Sequence, residues 1–280
     1  MRIQNQFGEL DGGLLGRPPF HREFIGELGS LIFFPVFVRN GAIVDGILGK
    51  VIGPKKNLLL DDAPSGIPEH WEVHPISTLC PNCGNPLQGG RESLLLFCGI
   101  CHVVWNPSSG RLVAGKFEVF PGRGGSSVYL PFWMMKAAVE GIALKSYADL
   151  ARAANLPRMI RPEWEGQEVY FWIPAFRVHP SLFLRLSRQM TLFQPPEKTE
   201  ALLPDALLQP VTLSVENAAA SLKIHLAHLL SKKGDYFPRF HTISIGPVES
   251  RLVLIPFTST GRELIHPELG IGLQRQTLSV

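Results

Sequence analysis

The chain has 280 residues, 45% of them hydrophobic and only 18% charged, with a formal net charge of +3 and a mean hydropathy of +0.11. So apolar a composition excludes an intrinsically disordered chain. The 27 basic and 24 acidic residues contain no Lys/Arg run, which excludes a polybasic tail and leaves the balance neutral toward anionic partners.

Met1 and Arg2 are followed by the polar run IQNQFGELDGG, in which no secretory leader is read. The apolar stretch Leu31 to Val38 reads as a strand that ends at Pro35 and resumes as Val36-Phe37. It is far shorter than the ~20 residues of a membrane span. The hydropathy still leaves peripheral membrane contact open. Further on, Glu69, His70, Glu72 and His74 could hold a metal, but they read better as an exposed linker.

The densest chemistry follows. In Cys80-Pro-Asn-Cys83-Gly84 the second cysteine is separated by fourteen residues from Cys98-Gly-Ile-Cys101, and the chain has no other cysteine. Each C-x-x-C can close a tight knuckle that turns both sulfurs to one side, with Pro81 presetting φ and Gly84 supplying a permissive backbone. Between them, a Gly89-Gly90 turn and Leu94 to Phe97 suit a short strand leading into the second knuckle. Four thiolates so presented match the tetrahedral preference of Zn²⁺. A dithiol redox pair and a rubredoxin-like iron site are the competing readings. Two cysteine pairs with no leader read as metal chemistry in a reducing compartment, and cytoplasm is the expected location.

The CPNCG and CGIC knuckles resemble those of a zinc ribbon, over about residues 78–113. That resemblance implies one structural zinc per chain, with Cys80, Cys83, Cys98 and Cys101 as ligands. It also implies a small module that binds nucleic acid or protein. Trp105 and the Asn106 to Gly110 loop stand where ribbons turn again. Four protein ligands leave no open position, so the metal is read as structural and not catalytic. The ribbon carries only Arg91 and Arg111 as fixed cations but many apolar residues, which favours protein over nucleic acid as its partner. His102 reads as a strand residue.

Pro121 to Ser127 is a glycine-rich loop leading into a strand. A phosphate cradle needs a helix there, so a hairpin turn is the better reading. Strands then recur with one pattern, an apolar run ending in proline with apolar residues after it. The copies are Leu31–Phe37, Val128–Trp133, Phe171–Phe176 and Leu252–Phe257. Four copies suggest an internal repeat. The strands are expected to bend or break at the proline, because proline lacks a ladder donor. Phe132, Trp133, Trp172 and Phe176 are assigned to the core.

Helices are expected near residues 146–156, 180–191 and 214–233. The first begins at the Ser146/Asp149 capping box. The second carries Pro180 in its first turn, with Leu182, Leu186 and Met190 on one face. The third should run to Gly234, with Lys232 and Lys233 at its C-terminal dipole. His225 and His228 on that helix are expected at the surface. Residues 194–209 read as a proline-rich loop.

The expected fold is therefore β-rich α+β. Four proline-marked strand units share a core with about three helices, and a zinc ribbon is inserted. Residues 1–75 would begin the body, 76–113 form the ribbon and 114–280 complete the body. No nucleophile elbow, P-loop or HExxH is present. The expected function is that of a non-enzymatic zinc-containing adaptor or assembly factor that binds protein. Nucleic-acid binding is the alternative, and an enzyme with a structural ribbon the third reading.

Overall fold

The computed structural model describes residues 36–45, 48–54, 76–108, 110–122, 127–195, 199–231 and 236–278. The chain divides into two compact units, Glu27–Pro75 and a larger one that includes Ile76–Val280. In the smaller unit, β1 (Val36–Arg39), β2 (Ala42–Asp45) and β3 (Val51–Pro54) form an antiparallel sheet in that order. Asn40 and Gly41, at φ 51° and 75°, make the two-residue turn between β1 and β2. Asn-Gly suits that turn because both central residues need positive φ. Pro35 and the Glu69 to His74 cluster lie outside the described residues.

In the larger unit the ribbon segment supplies β4 (Leu96–Cys98), β5 (Val103–Ser108) and β6 (Arg111–Gly115), which form one antiparallel sheet. Then come β7 (Phe117–Val119), β8 (Ser127–Glu140), α1 (Tyr147–Ala153), β9 (Phe171–Pro174), α2 (Pro180–Phe193) and β10 (Leu207–Leu208). The chain continues with α3 (Val215–Leu229), β11 (Ser244–Ser259), β12 (Glu263–Ile265) and β13 (Gly272–Gln274). Strands β7 to β13 form a seven-stranded mixed sheet. The expected β-rich α+β class is what the structure shows.

The long antiparallel pair β8–β11 is the centre of that sheet. Val128 to Met135 are buried without a break. Such a run has no polar face, so both sides of the sheet must be covered. Alternate residues do serve two cores. Tyr129, Trp133 and Met135 join Leu252, Leu254, Phe171 and Ile173 on one side, with Leu150 of α1 and Leu222 and Leu226 of α3. Leu130, Phe132 and Met134 join Val253, Ile255, Phe257 and Trp172 on the other, with Leu182, Leu186 and Met190 of α2. Each such side chain contributes about 1.5–3 kcal/mol by leaving water. The four aromatic residues assigned to the core are all buried.

The prolines behave differently from expectation. Pro131 and Pro256 break neither β8 nor β11. On one edge, β8 pairs with β10 at Val128 and Tyr129 and with β9 from Phe132 to Met135. Pro131 falls between these two partners. β11 likewise pairs with β7 at Leu252 to Leu254 and with β12 at Thr258 and Ser259, and Pro256 falls between them. The Tyr129 carbonyl accepts from Gln209 and the Leu254 carbonyl from Phe120. By strand alternation the donorless nitrogens two residues on face the same gaps, where no ladder bond is lost. Pro174 ends β9. Three proline-marked segments thus meet in one sheet, whereas Val36 and Phe37 of the first copy lie in the smaller unit.

The Ser146 capping box is formed, and Pro180 occupies the first turn of α2. No described helix is long and apolar enough to cross a membrane. The third helix is shorter than expected. It stops at Leu229 because Leu230 turns extended and buried, and both the N–H and hydroxyl of Ser231 donate to the Ala153 carbonyl. Its buried face includes Ala218, Ser221 and His225. His102 is not in a strand but in the turn before β5, at φ 51°.

His225 of α3 is buried and not at the surface as expected. It is 1% exposed, its ring lies 5.0 Å from that of Phe183, and neither ring nitrogen has a hydrogen-bond partner among the described residues. Burial first, and the His228 charge second, push its pKa down to about 3. The unfolded chain, with a His pKa of about 6.5, then binds more protons than the native state between these values. The His225 contribution to stability is therefore fully present above pH 6.5 and is lost as pH falls toward 3, by at most about 1.4 kcal/mol per pH unit. Urea unfolding at pH 7 and pH 5 should show the stability of His225→Leu rising relative to the wild type on acidification. A difference independent of pH would show that His225 is not held neutral.

Candidate metal centre

Both knuckles are built from the same local bonds. The Gly84 N–H donates to the Cys80 carbonyl at 2.8 Å, and the His102 N–H donates to the Cys98 carbonyl at 3.0 Å. Gly84 has φ 73° and His102 φ 51°. Each closes its turn four residues after the first cysteine. Glycine takes that conformation freely, and histidine is among the side chains that tolerate it. In the first knuckle the Cys80 N–H also donates to the Asn85 carbonyl at 2.8 Å. In the second, the Cys101 N–H points at the Cys98 sulfur, 3.3 Å away.

The turns bring Cys80, Cys83, Cys98 and Cys101 together, with all four Sγ atoms within 4.8 Å of one another. Cys83 and Cys98 are 3.6 Å apart. A tetrahedron with metal–sulfur bonds of ~2.3 Å has sulfur–sulfur edges of about 3.8 Å. The cluster is therefore of the size that one tetrahedral ion needs. All four cysteines are free; Cys80 and Cys98 are buried and Cys83 is exposed. No other group of three or more His, Cys, Asp or Glu side chains is so placed among the described residues.

The electrostatics reflect crowding of like groups. The Asn85 carboxamide and N–H, helped by neighbouring thiols, bring Cys83 down to about 6. Burial works to raise Cys80, but the Asn82 and Cys83 backbone donors and the Cys98 thiol outweigh it and leave the group lowered. Cys101 is pushed up to about 12, first by Cys83 and then by burial. Sulfurs this close oppose one another's ionisation, and a coordinated cation removes that opposition. The donor set of four thiols with no oxygen ligand suits a soft, tetrahedral ion such as zinc.

The β4–β6 segment packs against the rest of its own unit. In β5, Val104 turns to the main core with Phe97, whereas Trp105 turns to Cys80 and Cys98. The Phe97 ring meets Phe117 edge-on at 5.6 Å. The Leu94 N–H donates to the Val211 carbonyl at 2.8 Å, and His102 Nδ1 accepts from the Leu203 N–H at 3.0 Å. Gly90 lies so close to Pro210 that a Cβ there would sit 2.9 Å from its ring. Two of the apolar residues that pointed to a partner, Phe97 and Val104, are thus spent on the chain itself. The role of His102 escaped the sequence reading. The available signal was its place, fourth after Cys98 as Gly84 is fourth after Cys80.

His102 therefore combines a left-handed backbone with one long-range hydrogen bond. His102→Ala should destabilise the unit by roughly 1–3 kcal/mol, since it loses the acceptor and keeps the unfavourable φ. His102→Gly should cost less, because glycine relieves the backbone. Chemical denaturation of the two variants checks this order, and a smaller loss for alanine would contradict it.

Comparison with models of protein families, with curated proteins and with solved structures finds no match to this chain.

Proposed function

We propose that the chain is a non-enzymatic zinc protein that works by binding another protein. One Zn²⁺ held by Cys80, Cys83, Cys98 and Cys101 staples a ribbon of about residues 76–113. The observation that carries the metal assignment is the set of four thiols within 4.8 Å. Four such ligands close the coordination sphere and leave no place for water or substrate, which supports a structural role. The docking contacts extend that role. Metal binding stabilises the two knuckles, and through Leu94 and His102 the segment around Leu203 to Val211.

A protein partner is supported by the apolar residues left exposed on the ribbon. Leu79 is 51%, Ile100 67% and Val113 54% exposed. Ile100 stands between the cysteines of the second knuckle, where the metal would rigidify it. Nucleic-acid binding by the ribbon has less support, because Arg91 and Arg111 are its only Lys or Arg residues.

Elemental analysis of the purified chain should find one zinc per molecule, and Cys98→Ser should lose it. Iron with visible absorption would replace zinc in this reading. Chelation should lower the thermal midpoint and open the Gln88 to Ser93 loop to protease. Loss of metal without either change would contradict the staple. For the partner, a Leu79→Asp/Ile100→Asp variant should keep its zinc and lose a protein that co-purifies stoichiometrically with the wild type. Salt-sensitive retention of DNA or RNA by the ribbon would favour the alternative.

A further inference from the structure

Two clefts of about 630 and 710 Å³ adjoin on the larger unit and share Glu263 and Gln274. One lies between the first turn of α2 and β13, and the other follows the β12–β13 hairpin into the residues after it. Arg185 lines the first cleft, and Arg262 and Arg275 line the second. Among the described residues, none of these three guanidinium groups is in an ion pair.

The placement of Arg262 and Arg275 is the telling feature. Glu263 pairs with Gln274 across the hairpin, and one step further the Arg275 N–H donates to the Arg262 carbonyl at 2.8 Å. The two arginines thus stand opposite each other across the hairpin. Like charges so placed oppose folding unless something neutralises them. Arg185 is tied to the same hairpin, its Nη2 donating to the Gly272 carbonyl at 3.1 Å. At the far end, His179 Nδ1 and Ser181 Oγ are 2.9 Å apart beside the first turn of α2.

Guanidinium forks match phosphate oxygens, two donors to two acceptors. Among the described residues, Leu182 and Leu273 are the only apolar side chains of the lining, and no Phe, Tyr or Trp is present on which nucleic-acid bases could stack. Each cleft is within the size range of small-molecule sites. We propose that the paired clefts bind a small phosphorylated molecule. Arg262 and Arg275 share its phosphate, Arg185 holds a second anionic group, and Glu263 accepts from a hydroxyl of its organic part.

The test is calorimetric titration of the zinc-loaded 280-residue chain with pyrophosphate, ribose 5-phosphate, sulfate and a single-stranded 12-mer oligonucleotide. The expected result is saturable, one-to-one binding of pyrophosphate or ribose 5-phosphate. Affinity should fall at least tenfold in Arg262→Gln/Arg275→Gln and be unchanged in Arg158→Gln, an exposed arginine elsewhere. Without ligand, the double variant should melt at the same temperature as the wild type or higher, since a like-charge pair is gone. A lower melting temperature would make the arginines structural and overturn the proposal. Equal affinity for sulfate, meaning an adventitious ion only, would also overturn it. So would tighter binding of the oligonucleotide, equal loss in Arg158→Gln, or no binding.

Discussion

The antiparallel pairing of β8 with β11 is the constraint on which the rest of the larger unit depends. It joins Ser127–Thr258 at one end to Glu140–Ser244 at the other. The buried run Val128 to Met135 offers water no polar face. A sheet with that centre is stable only between two apolar layers. The helices follow from this demand. α1 and α3 cover one face with Leu150, Leu222 and Leu226, and α2 covers the other with Leu182, Leu186 and Met190. The short strands follow too. β7, β9, β10 and β12 each satisfy part of one edge, and the prolines stand where one partner gives way to the next.

The ribbon obeys the same logic at smaller scale. A segment of this length cannot bury enough apolar surface to fold alone. It has two sources of stability, one on each face of β5. Val104, with Phe97 of β4, belongs to the core of the body, and Trp105 covers the cysteine cluster. A metal at the four thiols would couple these sources, because the turn that places Cys98 also places His102 against the Leu203 N–H. Metal binding free energy would then be folding free energy for the ribbon and for the segment it holds.

Two arrangements in the larger unit run against stability. His225 is buried among apolar side chains with neither nitrogen hydrogen-bonded among the described residues. Arg262 and Arg275 face each other across a hairpin with no carboxylate paired to either among the described residues. Departures of this kind concentrate where a protein uses a residue for something other than folding. For the arginines the surrounding clefts supply a chemical reason, whereas the setting of His225 has none that the structure shows.

Several local features were legible in the sequence because a few consecutive residues decide them. The C-x-x-C spacing and Gly84 determine the first knuckle, Ser146 and Asp149 the start of α1, and Pro180 the first turn of α2. The unbroken apolar run from Val128 identified a core strand for the same reason. What remained hidden depended on partners far along the chain. Pro131 reads as a breaker until its unused edge is seen to fall between β9 and β10. His225 reads as a surface residue until α3 rotates it toward Phe183. His102 and the facing arginines acquire meaning only when Leu203 or the opposite hairpin strand lies alongside. Backbone preference is a property of neighbours in sequence, but burial, pairing and charge opposition are properties of neighbours in space, and only the tertiary structure decides those.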